Sequence, residues 1–588
     1  MNKVESPEHA SLQCFLNCYI RETGNGTFLT NSQHGQGLDL FLENQGIQFF
    51  FPVRYISPTE RHLFDFPGYY RTTFEKKWNE TDVTTVVSLL LKELSIQYES
   101  SAHLSETVQR VLMSLDNMTT FFTHREQEGA NPYTSDRTFI ESEQSLLIGH
   151  LLHPTPKSRQ GMDEQELLTY SPETRGTFHL HYLLVHKSIV ETGSSGEQSP
   201  THLMKEILLE EEQKEMVSDE NFVWFPLHPL QAKHLLQTEK VKDLLALGLL
   251  INAGPMGKKV TATSSIRTVY LEEADVMLKL SIPVKVTNSL RVNKKHELER
   301  GLEVCQLLES NLGTQLRDYF PNFHIINDPS YITVIDQEET GFEVIFRENP
   351  FKGEKAKHTS LLAGLTQDPV RQEKSYLAQV IHKIASEEQR EIKEVSKDWF
   401  TQYLTISLHP VLWLYFTHGI ALEAHQQNSI VRLENGYPVS FYYRDNQGYY
   451  FCQSKESHLQ TFLPQLNEKS DTVCRDEIAD ERLRYYFFFN HLFGLINSFG
   501  TSGLSEEEVL LEILRRELQD LQVMAYGSSS SLIDSLLHEE SLPCKANLLT
   551  RFYDMDELEG DLASQSVYTL VKNPLVQKVR DAYGILIS

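Results

Sequence analysis

A β-hairpin signal within residues 418–445 constrains the fold more than any other stretch of this chain. Residues 430–433 (IVRL) and 439–443 (VSFYY) are predicted strands, and between them lies Asn435-Gly436, a pair that type I′ turns prefer. An apolar run with helical spacing comes before the hairpin. We predict that this helix begins at Pro410, because proline is favoured at the first helical position.

Ligand-type side chains crowd the two ends of this hairpin: Glu423, His425, Gln427, Asn428 and Asp445. Symmetric pairing about the turn sets Asn428 opposite Tyr443 and therefore diagonal to Asp445. Oxygen ligands of this kind suit Mg²⁺, which usually takes one or two carboxylates together with water and phosphate oxygens. The same side chains could instead cap the helix and satisfy the loop backbone, so this pattern alone leaves both roles open.

A second predicted hairpin brings basic side chains together. Residues 261–270 (TATSSIRTVY) and 276–286 (VMLKLSIPVKV) flank a short polar connection. Symmetric pairing sets Arg267 opposite Lys279 on one face of the hairpin. Two opposed cations repel each other, so the pair needs an anion between them, either a triphosphate or a shared carboxylate. Arg291 follows closely enough in sequence to reach the same place.

Three further segments are less decisive on their own. Residues 146–161 (LLIGHLLHPTPKSRQG) hold His153 and Lys157 in a loop bounded by proline and glycine. Lysine and arginine in such a loop can bind phosphate, although solvated loop charges are the structural alternative. The acidic run 206–220 is typical of an exposed surface helix, and Lys545 by itself looks like an ordinary surface lysine.

Length and charge limit the class of protein. A chain of 588 residues is too long for one core and predicts about three or four domains. The net charge of −27 opposes binding to nucleic-acid backbones, which requires clustered lysine and arginine. No apolar run approaches the roughly 20 residues that are needed to cross a bilayer. Near the N-terminus, acidic residues and a proline interrupt the apolar core that a signal peptide would need. We therefore expect a cytoplasmic protein with no nucleic-acid or membrane partner, whose six dispersed cysteines are reduced core thiols.

Five motifs follow one another in a fixed order along nearly the whole chain: GHLLHPTPKSRQG (149–161), HPLQ (228–231), ATSSIRT with KLSIPVKVTNSLR (262–268 and 279–291), HGIALEAHQQN with YYRDNQG (418–428 and 442–448), and KANLLTR (545–551). Together they resemble the IucA/IucC (aerobactin synthetase) family of NRPS-independent siderophore synthetases. The opening segment and the first motif are most similar to the petrobactin branch, which joins citrate to spermidine. Leu151 and Leu230 depart from the family's usual Pro and Trp, and both changes affect packing rather than charge.

The resemblance implies an α+β, multidomain fold shaped like a cupped hand. A mainly helical thumb would span residues 1–165, and fingers with an antiparallel sheet would span residues 166–370. A mainly helical palm would span residues 371–588, with ATP held between fingers and palm. The resemblance also implies a homodimer.

The activity that the resemblance implies is an ATP-dependent acid–amine ligase. A carboxylate of citrate would be adenylated and then condensed with an amine, for which a polyamine such as spermidine is the first choice, releasing AMP and pyrophosphate. Motif by motif, the implied ATP-binding residues are His153, Lys157, Ser265, Arg267, Thr268, Lys279, Glu423, Gln427, Asn428 and Asp445. Glu423 and Asp445 would also hold Mg²⁺. Arg291, His425 and Lys545 would bind the acid, and the catalytic residues would be Arg267, Lys279 and His425.

Other functions stay open at this point. A ligase of the same family could act on a citryl monoamide or on 2-oxoglutarate. A kinase-like phosphotransferase is a second hypothesis, because an asparagine and an aspartate across a hairpin also occur in the metal sites of phosphoryl-transfer enzymes. The third is a catalytically silent subunit that binds nucleotide or citrate, against which the intact Arg267, Lys279, Glu423 and Asp445 argue.

Overall fold

The computed structural model describes residues 4–128, 137–196, 199–210, 220–335, 340–370, 374–445, 447–525, 531–555 and 566–576. Helices and mostly antiparallel sheets alternate along this part of the chain, which confirms the predicted α+β, multidomain class. Most of the predicted surface helix at 206–220 lies outside the described residues. All six cysteines are buried and unpaired, as predicted.

The N-terminal part packs helices against an antiparallel sheet. Its long helices are Pro7–Thr23, Val83–Gln97 and Leu104–Glu128. The strands, in spatial order, are Thr27–Asn31, Gly35–Leu42, Ile47–Tyr55, Tyr69–Thr72 and Asn79–Glu80, with Leu63–Phe64 paired to the third. The core between these layers also takes in Leu548, Leu549 and Phe552 from the far end of the chain. The two ends of the sequence therefore share one hydrophobic core.

The largest sheet of the described residues has eight antiparallel strands, in the order Phe222–Leu227, Thr177–His186, Leu250–Ala262, Thr268–Tyr270, Val276–Lys279, Val344–Glu348, Ser330–Val334 and Val190–Ser194. Shorter helices surround or connect these strands: Phe139–Glu143, Glu164–Tyr170, Pro200–Leu208, Pro229–Leu235, Glu239–Ala246, Lys295–Glu309 and Asn311–Tyr319. Buried aliphatic and aromatic side chains, among them Leu180, Phe225 and Phe346, form the core that this sheet and its helices enclose.

The second predicted hairpin is present in this sheet, but its register is wrong by one residue. Thr268, not Arg267, pairs with Lys279, and the predicted strand is interrupted at residues 263–267. These residues form a loop, in which Ile266 adopts a left-handed backbone with φ of 66°. Side chains alternate between the two faces of a sheet only while every residue of the strand is extended. One residue that leaves the extended conformation therefore moves each later side chain to the opposite face.

The C-terminal part is mainly helical, with Leu362–Thr366, Tyr376–Glu388, Ile392–His418, Glu456–Leu459, Asp476–Leu483, the π-helix Arg484–Leu492, Phe493–Thr501, Glu507–Ala525, Ser531–His538 and Asn547–Phe552. The predicted helix start at Pro410 is wrong, because Pro410 lies inside the helix Ile392–His418. Both sides of the proline are buried in the main core, and that packing outweighs the one backbone hydrogen bond that proline removes.

The hairpin predicted from Asn435-Gly436 is confirmed as strands Ser429–Glu434 and Tyr437–Arg444, with positive φ at both turn residues. A bulge next to Arg432 shifts its register by one, so that Ser429 rather than Asn428 pairs with Tyr443. The hairpin lies in a sheet ordered Phe323–Ile326, Tyr437–Arg444, Ser429–Glu434 and Thr359–Leu361. This sheet combines strands from both sides of residue 370, and the three-segment division of the chain stays a prediction.

Three small sheets complete the described structure. The first pairs Arg159–Gln160 with Lys285–Val286 and Ser289–Leu290. The second contains Ile420–Leu422, Tyr449–Cys452 and Val473–Cys474, and the third pairs Ser541–Lys545 with Tyr568–Lys572.

A buried ion pair joins the N-terminal sheet to the C-terminal helices. The Arg61 guanidinium pairs with Asp368 and also donates to Asn497 Oδ1 at 2.8 Å. The side chains of Arg61 and Asp368 are only 4% and 2% exposed. Water therefore cannot replace either partner, and each charge depends on the other.

We expect Asp368→Ala to destabilise the protein by about 3–5 kcal/mol, because it leaves the buried Arg61 without its counter-charge. A thermal melt of the purified variant would measure the effect. The matched control is Glu506→Ala, which removes an exposed partner of Lys393 and should leave the melting temperature unchanged. Equal melting temperatures for the two variants would contradict the assignment.

Candidate active site

A cavity of about 860 Å³ lies between the large sheet, the 149–161 loop, the hairpin and the C-terminal segment. Every site residue that the sequence predicted lines it: His153, Lys157, Ser265, Arg267, Thr268, Lys279, Arg291, Glu423, His425, Gln427, Asn428, Asp445 and Lys545. Its volume is near the upper end of the roughly 300–1,000 Å³ typical of small-molecule sites. The fold thus brings together residues that are almost 400 positions apart in sequence.

The charge of this cavity is opposite to that of the chain. Among the described residues, thirteen lysines and arginines line it: Arg61, Lys157, Arg159, Arg267, Lys279, Arg291, Lys294, Arg300, Arg347, Arg444, Arg475, Arg482 and Lys545. The acidic lining residues are Glu297, Glu423, Asp445, Glu456 and Asp471. A cleft with one dominant sign of charge concentrates ligands of the other sign. This cleft therefore favours anions although the protein carries a net charge of −27.

Three guanidinium groups in the cleft donate, within the described part of the chain, to neutral oxygens and to no carboxylate. Arg267 donates to Asn293 Oδ1 at 2.9 Å and to Gln447 Oε1 at 3.0 Å. Arg291 and Arg300 donate to backbone carbonyls, and Arg291 also donates to a threonine hydroxyl. Arg267 is buried, and its burial together with the charge of Arg291 lowers its pKa to about 10. Buried charges normally have a counter-ion, so this arrangement favours a bound anion.

The loop at residues 263–267 sets the direction of Arg267. Ser265 Oγ accepts a hydrogen bond from the Thr268 backbone at 3.1 Å, which closes the loop onto the following strand. The neighbouring Ser264 accepts from Gln427 Nε2 at 3.1 Å through its own Oγ. The loop of the large sheet is therefore tied directly to the hairpin region.

A carboxylate lies beside Lys279, one of the two cations of the predicted pair, but among the described contacts it is shared with Arg347 and not with Arg267. Lys279 Nζ lies 3.1 Å from Asp445 Oδ1, and Arg347 approaches the same oxygen at 3.8 Å. Burial opposes ionisation of Asp445, but the charges of Lys279 and Arg347 hold its pKa well below the usual range. Burial lowers the pKa of Lys279 to about 8 despite Asp445. Arg347 itself is fixed by a two-pronged pair with Asp328 at 2.7 and 2.9 Å.

Glu423 and Asp445 form the candidate metal site. Burial and then the negative charge of Asp445 raise the pKa of Glu423 to about 7. Asn428 Nδ2 donates to Asp445 Oδ2 at 3.3 Å and to the Glu423 carbonyl at 3.3 Å, so its amide nitrogen orients the Asp445 carboxylate. Gly448 permits the packing here, because a Cβ at this position would lie 2.6 Å from Glu423 Cβ. This donor set fits a hard divalent cation such as Mg²⁺.

A second group of side chains lies beside Glu423, where His425 Nε2 is 3.7 Å from Glu423 Oε1. Burial lowers the pKa of His425 to about 3, so its imidazole is neutral, and Nδ1 accepts from the Gln427 backbone at 3.2 Å. Lys545 Nζ lies 5.7 and 5.8 Å from the ring centres of Tyr485 and Tyr486. Both tyrosines belong to the π-helix Arg484–Leu492, a wide helical form that often occurs at functional sites.

The 149–161 loop has a more structural role than the sequence alone suggested. Lys157 and Arg159 are both buried and both pair with Glu173. Although burial opposes its ionisation, these two cations hold the pKa of Glu173 at about 2. His153 Nδ1 accepts from the Thr155 backbone at 3.1 Å and so helps to shape the loop. Lys157 and His153 line the cavity, but their contact with phosphate stays a prediction.

Sequence reasoning missed several lining residues. Ser264 and Arg444 directly adjoin predicted residues, and their positions within the motifs could have identified them. Arg300 and Arg347 come from a separate helix and strand and carry no local signal. His228 of the HPLQ motif is not among the lining residues, and its Nδ1 instead accepts from Leu230 N at the start of the next helix.

Two family models match this chain. One, described as the IucA/IucC family, matches residues 138–367, which contain the 149–161 loop and the large sheet. The other, described as a ferric iron reductase FhuF-like transporter, matches residues 397–560, which contain the hairpin and Lys545. Every helix of the described residues is too short or too polar to span a bilayer.

Full-length relatives cover both matched segments in one chain. A spermidine-citrate ligase from Bacillus anthracis is 46% identical, covering 97% of this chain and 98% of the relative. The rhizobactin siderophore biosynthesis protein RhbC from Rhizobium meliloti is 36% identical, covering 96% and 97%. The ATP-bound structure of aerobactin synthetase IucA from Klebsiella pneumoniae has a TM-score of 0.88 at 26% identity, covering 96% and 99%. On this similarity the chain belongs to the IucA/IucC family of siderophore synthetases.

Proposed function

We propose that this protein uses ATP to adenylate a carboxylate of citrate and then joins the acyl group to spermidine or a related polyamine. The observation that carries the proposal is the excess of positive charge in the cleft, with Arg267, Arg291 and Arg300 donating to neutral groups. ATP and citrate are both polyanions, and a reaction between them requires strong charge neutralisation. The 46% identity to a spermidine-citrate ligase supports the choice of substrates.

The reaction has two steps. An oxygen of the citrate carboxylate attacks the α-phosphorus of ATP, the bond from this phosphorus to the β-phosphate oxygen breaks, and pyrophosphate leaves. The amine nitrogen then attacks the acyl carbon, the bond between this carbon and the AMP oxygen breaks, and the nitrogen loses a proton to give the amide. Arg267 and Lys279 would stabilise the charge that develops on the phosphates, while Ser265, Thr268, Gln427 and Asn428 would hold the nucleotide.

The acid would bind to Arg291, His425 and Lys545, all of which line the cleft. Arg291 and Lys545 supply positive charge for two carboxylates. Because Nδ1 of His425 accepts a hydrogen bond, the neutral ring carries its proton on Nε2 and can donate it to a substrate oxygen. His425 would thereby align the acid, since its low pKa excludes a permanent positive charge.

Glu423 and Asp445 would hold Mg²⁺, and Asn428 would support them. When bound, Mg²⁺ neutralises charge on the phosphate oxygens of ATP. Lys279 and Asp445 pair with each other in this structure, and both are assigned to nucleotide binding. We expect this pair to separate when ATP binds, because a phosphate can then take the place of Asp445 beside Lys279. We further propose that the enzyme is a cytoplasmic homodimer, as the family resemblance implies.

The proposed activity predicts a specific pair of products. Purified protein with ATP and Mg²⁺ is incubated with citrate, 2-oxoglutarate, succinate or no acid, each with spermidine, a diamine or hydroxylamine. We expect AMP and pyrophosphate only with citrate, and mass spectrometry should show the citryl–spermidine amide as the main product. ADP in place of AMP would overturn the mechanism, and product formation only from 2-oxoglutarate would overturn the choice of acid.

Arg267→Ala should lower kcat/KM for ATP by roughly 10²–10³-fold, because it removes a preorganised cation from the phosphate site. The fold should persist, since the hydrogen-bond partners left behind are the neutral amides of Asn293 and Gln447. The matched control is Arg432→Ala, which lies on the hairpin away from the cavity lining. A melting temperature that fell steeply would show that Arg267 is structural, and a kcat/KM equal to the control's would show that it has no role in phosphate binding.

Asp445→Asn should raise the Mg²⁺ concentration for half-maximal activity by at least about tenfold, because a neutral amide replaces one of two anionic ligands. A titration of activity against Mg²⁺ at saturating ATP measures this. Asp471→Asn changes an exposed aspartate at the rim of the same cavity and serves as the control. If both variants titrate like the parent enzyme, the metal assignment of Asp445 is wrong.

A further inference from the structure

We propose that Arg21 and Glu22, at the end of the first helix, are positioning residues that place Lys545 for binding the carboxylic acid. The inference rests on the proposed role of Lys545 as an acid-binding residue. Neither residue belongs to the five motifs, and neither touches the phosphate end of the cleft. Glu22 contacts the backbone that follows Lys545, and Arg21 contacts the side chain of the residue before it.

Glu22 holds the chain on the C-terminal side of Lys545. Its carboxylate accepts hydrogen bonds from the backbone of Leu548 at 2.9 Å and of Leu549 at 2.8 Å, one on each oxygen. These backbone groups belong to the first turn of helix Asn547–Phe552, whose N–H groups have no partner within the helix. Glu22 is buried, so water cannot easily take over this role. The carboxylate therefore fixes where the helix after Lys545 begins.

Arg21 holds the chain on the N-terminal side of Lys545. Its Nη2 lies 3.5 Å from the sulfur of Cys544, the residue immediately before Lys545. The same guanidinium lies over the ring of Phe489, 5.1 Å from its centre. Phe489 is part of the π-helix that presents Tyr485 and Tyr486 to Lys545. Two consecutive residues of one helix thus fix both flanks of the lysine.

The neighbouring contacts place the anchored segment in the cavity wall. Asn547 Nδ2 donates to the Leu152 carbonyl at 2.7 Å and to the Tyr485 hydroxyl at 3.0 Å. Leu548, Leu549 and Phe552 pack in the N-terminal core beside residues of the first helix. The first helix, the 149–161 loop and the π-helix therefore meet at this segment, to which the first helix contributes the buried Glu22 and the half-buried Arg21.

This anchoring should affect acid binding more than ATP binding. A lysine side chain has many rotamers, and a mobile backbone would spread its ammonium over a larger volume. A side chain that is already held in position loses less conformational entropy when the ligand binds. Most of the residues assigned to the nucleotide, among them Arg267, Lys279 and Asp445, lie on or beside the large sheet and the hairpin, which Arg21 and Glu22 do not contact through the hydrogen bonds described above. Loss of the contacts made by Arg21 and Glu22 should therefore raise the KM for citrate and leave the KM for ATP nearly unchanged.

The test compares steady-state KM values for citrate and ATP in Glu22→Ala, Glu22→Gln, Lys545→Ala and the control Glu8→Ala. Glu8 is an exposed glutamate on the same helix. For Glu22→Ala we expect the citrate KM to rise by about tenfold or more, with the ATP KM within about twofold of the parent. Glu22→Gln keeps one oxygen acceptor and should lie between the parent and Glu22→Ala. Glu8→Ala should match the parent in both values.

Lys545→Ala separates failure of this inference from failure of the proposed function. If Lys545→Ala raises the citrate KM and Glu22→Ala does not, the positioning role is wrong while the role of Lys545 stands. If Lys545→Ala leaves the citrate KM unchanged, the acid-binding role of Lys545 is wrong and the inference falls with it. An equal rise of both KM values in Glu22→Ala would show general destabilisation and would also overturn the inference.

Arg21→Met provides a second variant should Glu22→Ala fail to fold. It keeps an unbranched side chain against Phe489 and removes only the guanidinium next to Cys544. We expect a smaller rise in citrate KM of about threefold, again without a change for ATP. Parent-like values in a folded Arg21→Met together with parent-like values in Glu22→Gln would contradict the proposal.

Discussion

The active-site cleft depends on one buried ion pair, between Glu143 and Arg444. Both side chains are almost fully inaccessible to water, at 0% and 4% exposure. The second oxygen of Glu143 accepts from the Ser264 backbone at 2.9 Å, and Arg444 donates to the Gln427 carbonyl at 3.0 Å. The pair thereby connects the loop that carries Arg267 with the hairpin that carries Asp445. Because a buried charge is costly without its partner, this connection fixes the distance between the two halves of the site.

The proposed chemistry depends on the charged side chains that this connection holds in place. A chain with a net charge of −27 concentrates lysine and arginine in one cavity, where Arg267, Arg291 and Arg300 donate to neutral oxygens. ATP and a tricarboxylic acid repel each other in water, and such a cavity offsets that repulsion while it aligns the reacting atoms. Family membership and local geometry therefore support the same reaction class from independent directions.

The sequence allowed the local elements of the site to be predicted but not their long-range partners. The Asn435-Gly436 turn was recognisable because both residues tolerate positive φ, whereas the bulge beside Arg432 and the left-handed Ile266 left no local signal. Both features shift a register by one residue. The pairing of Lys279 with Asp445 and the contact of Glu22 with the backbone near Lys545 join positions 166 and more than 500 apart. Only the folded chain reveals contacts of that kind.

The most direct test of the central claim is an isotope-transfer measurement. Citrate labelled with ¹⁸O in its carboxylates is incubated with the enzyme, ATP, Mg²⁺ and spermidine, and the AMP is analysed by mass spectrometry. Attack of a carboxylate on the α-phosphorus predicts one ¹⁸O atom in each AMP formed with product. AMP without the label, or label recovered in inorganic phosphate, would contradict an acyl-adenylate intermediate in this cleft.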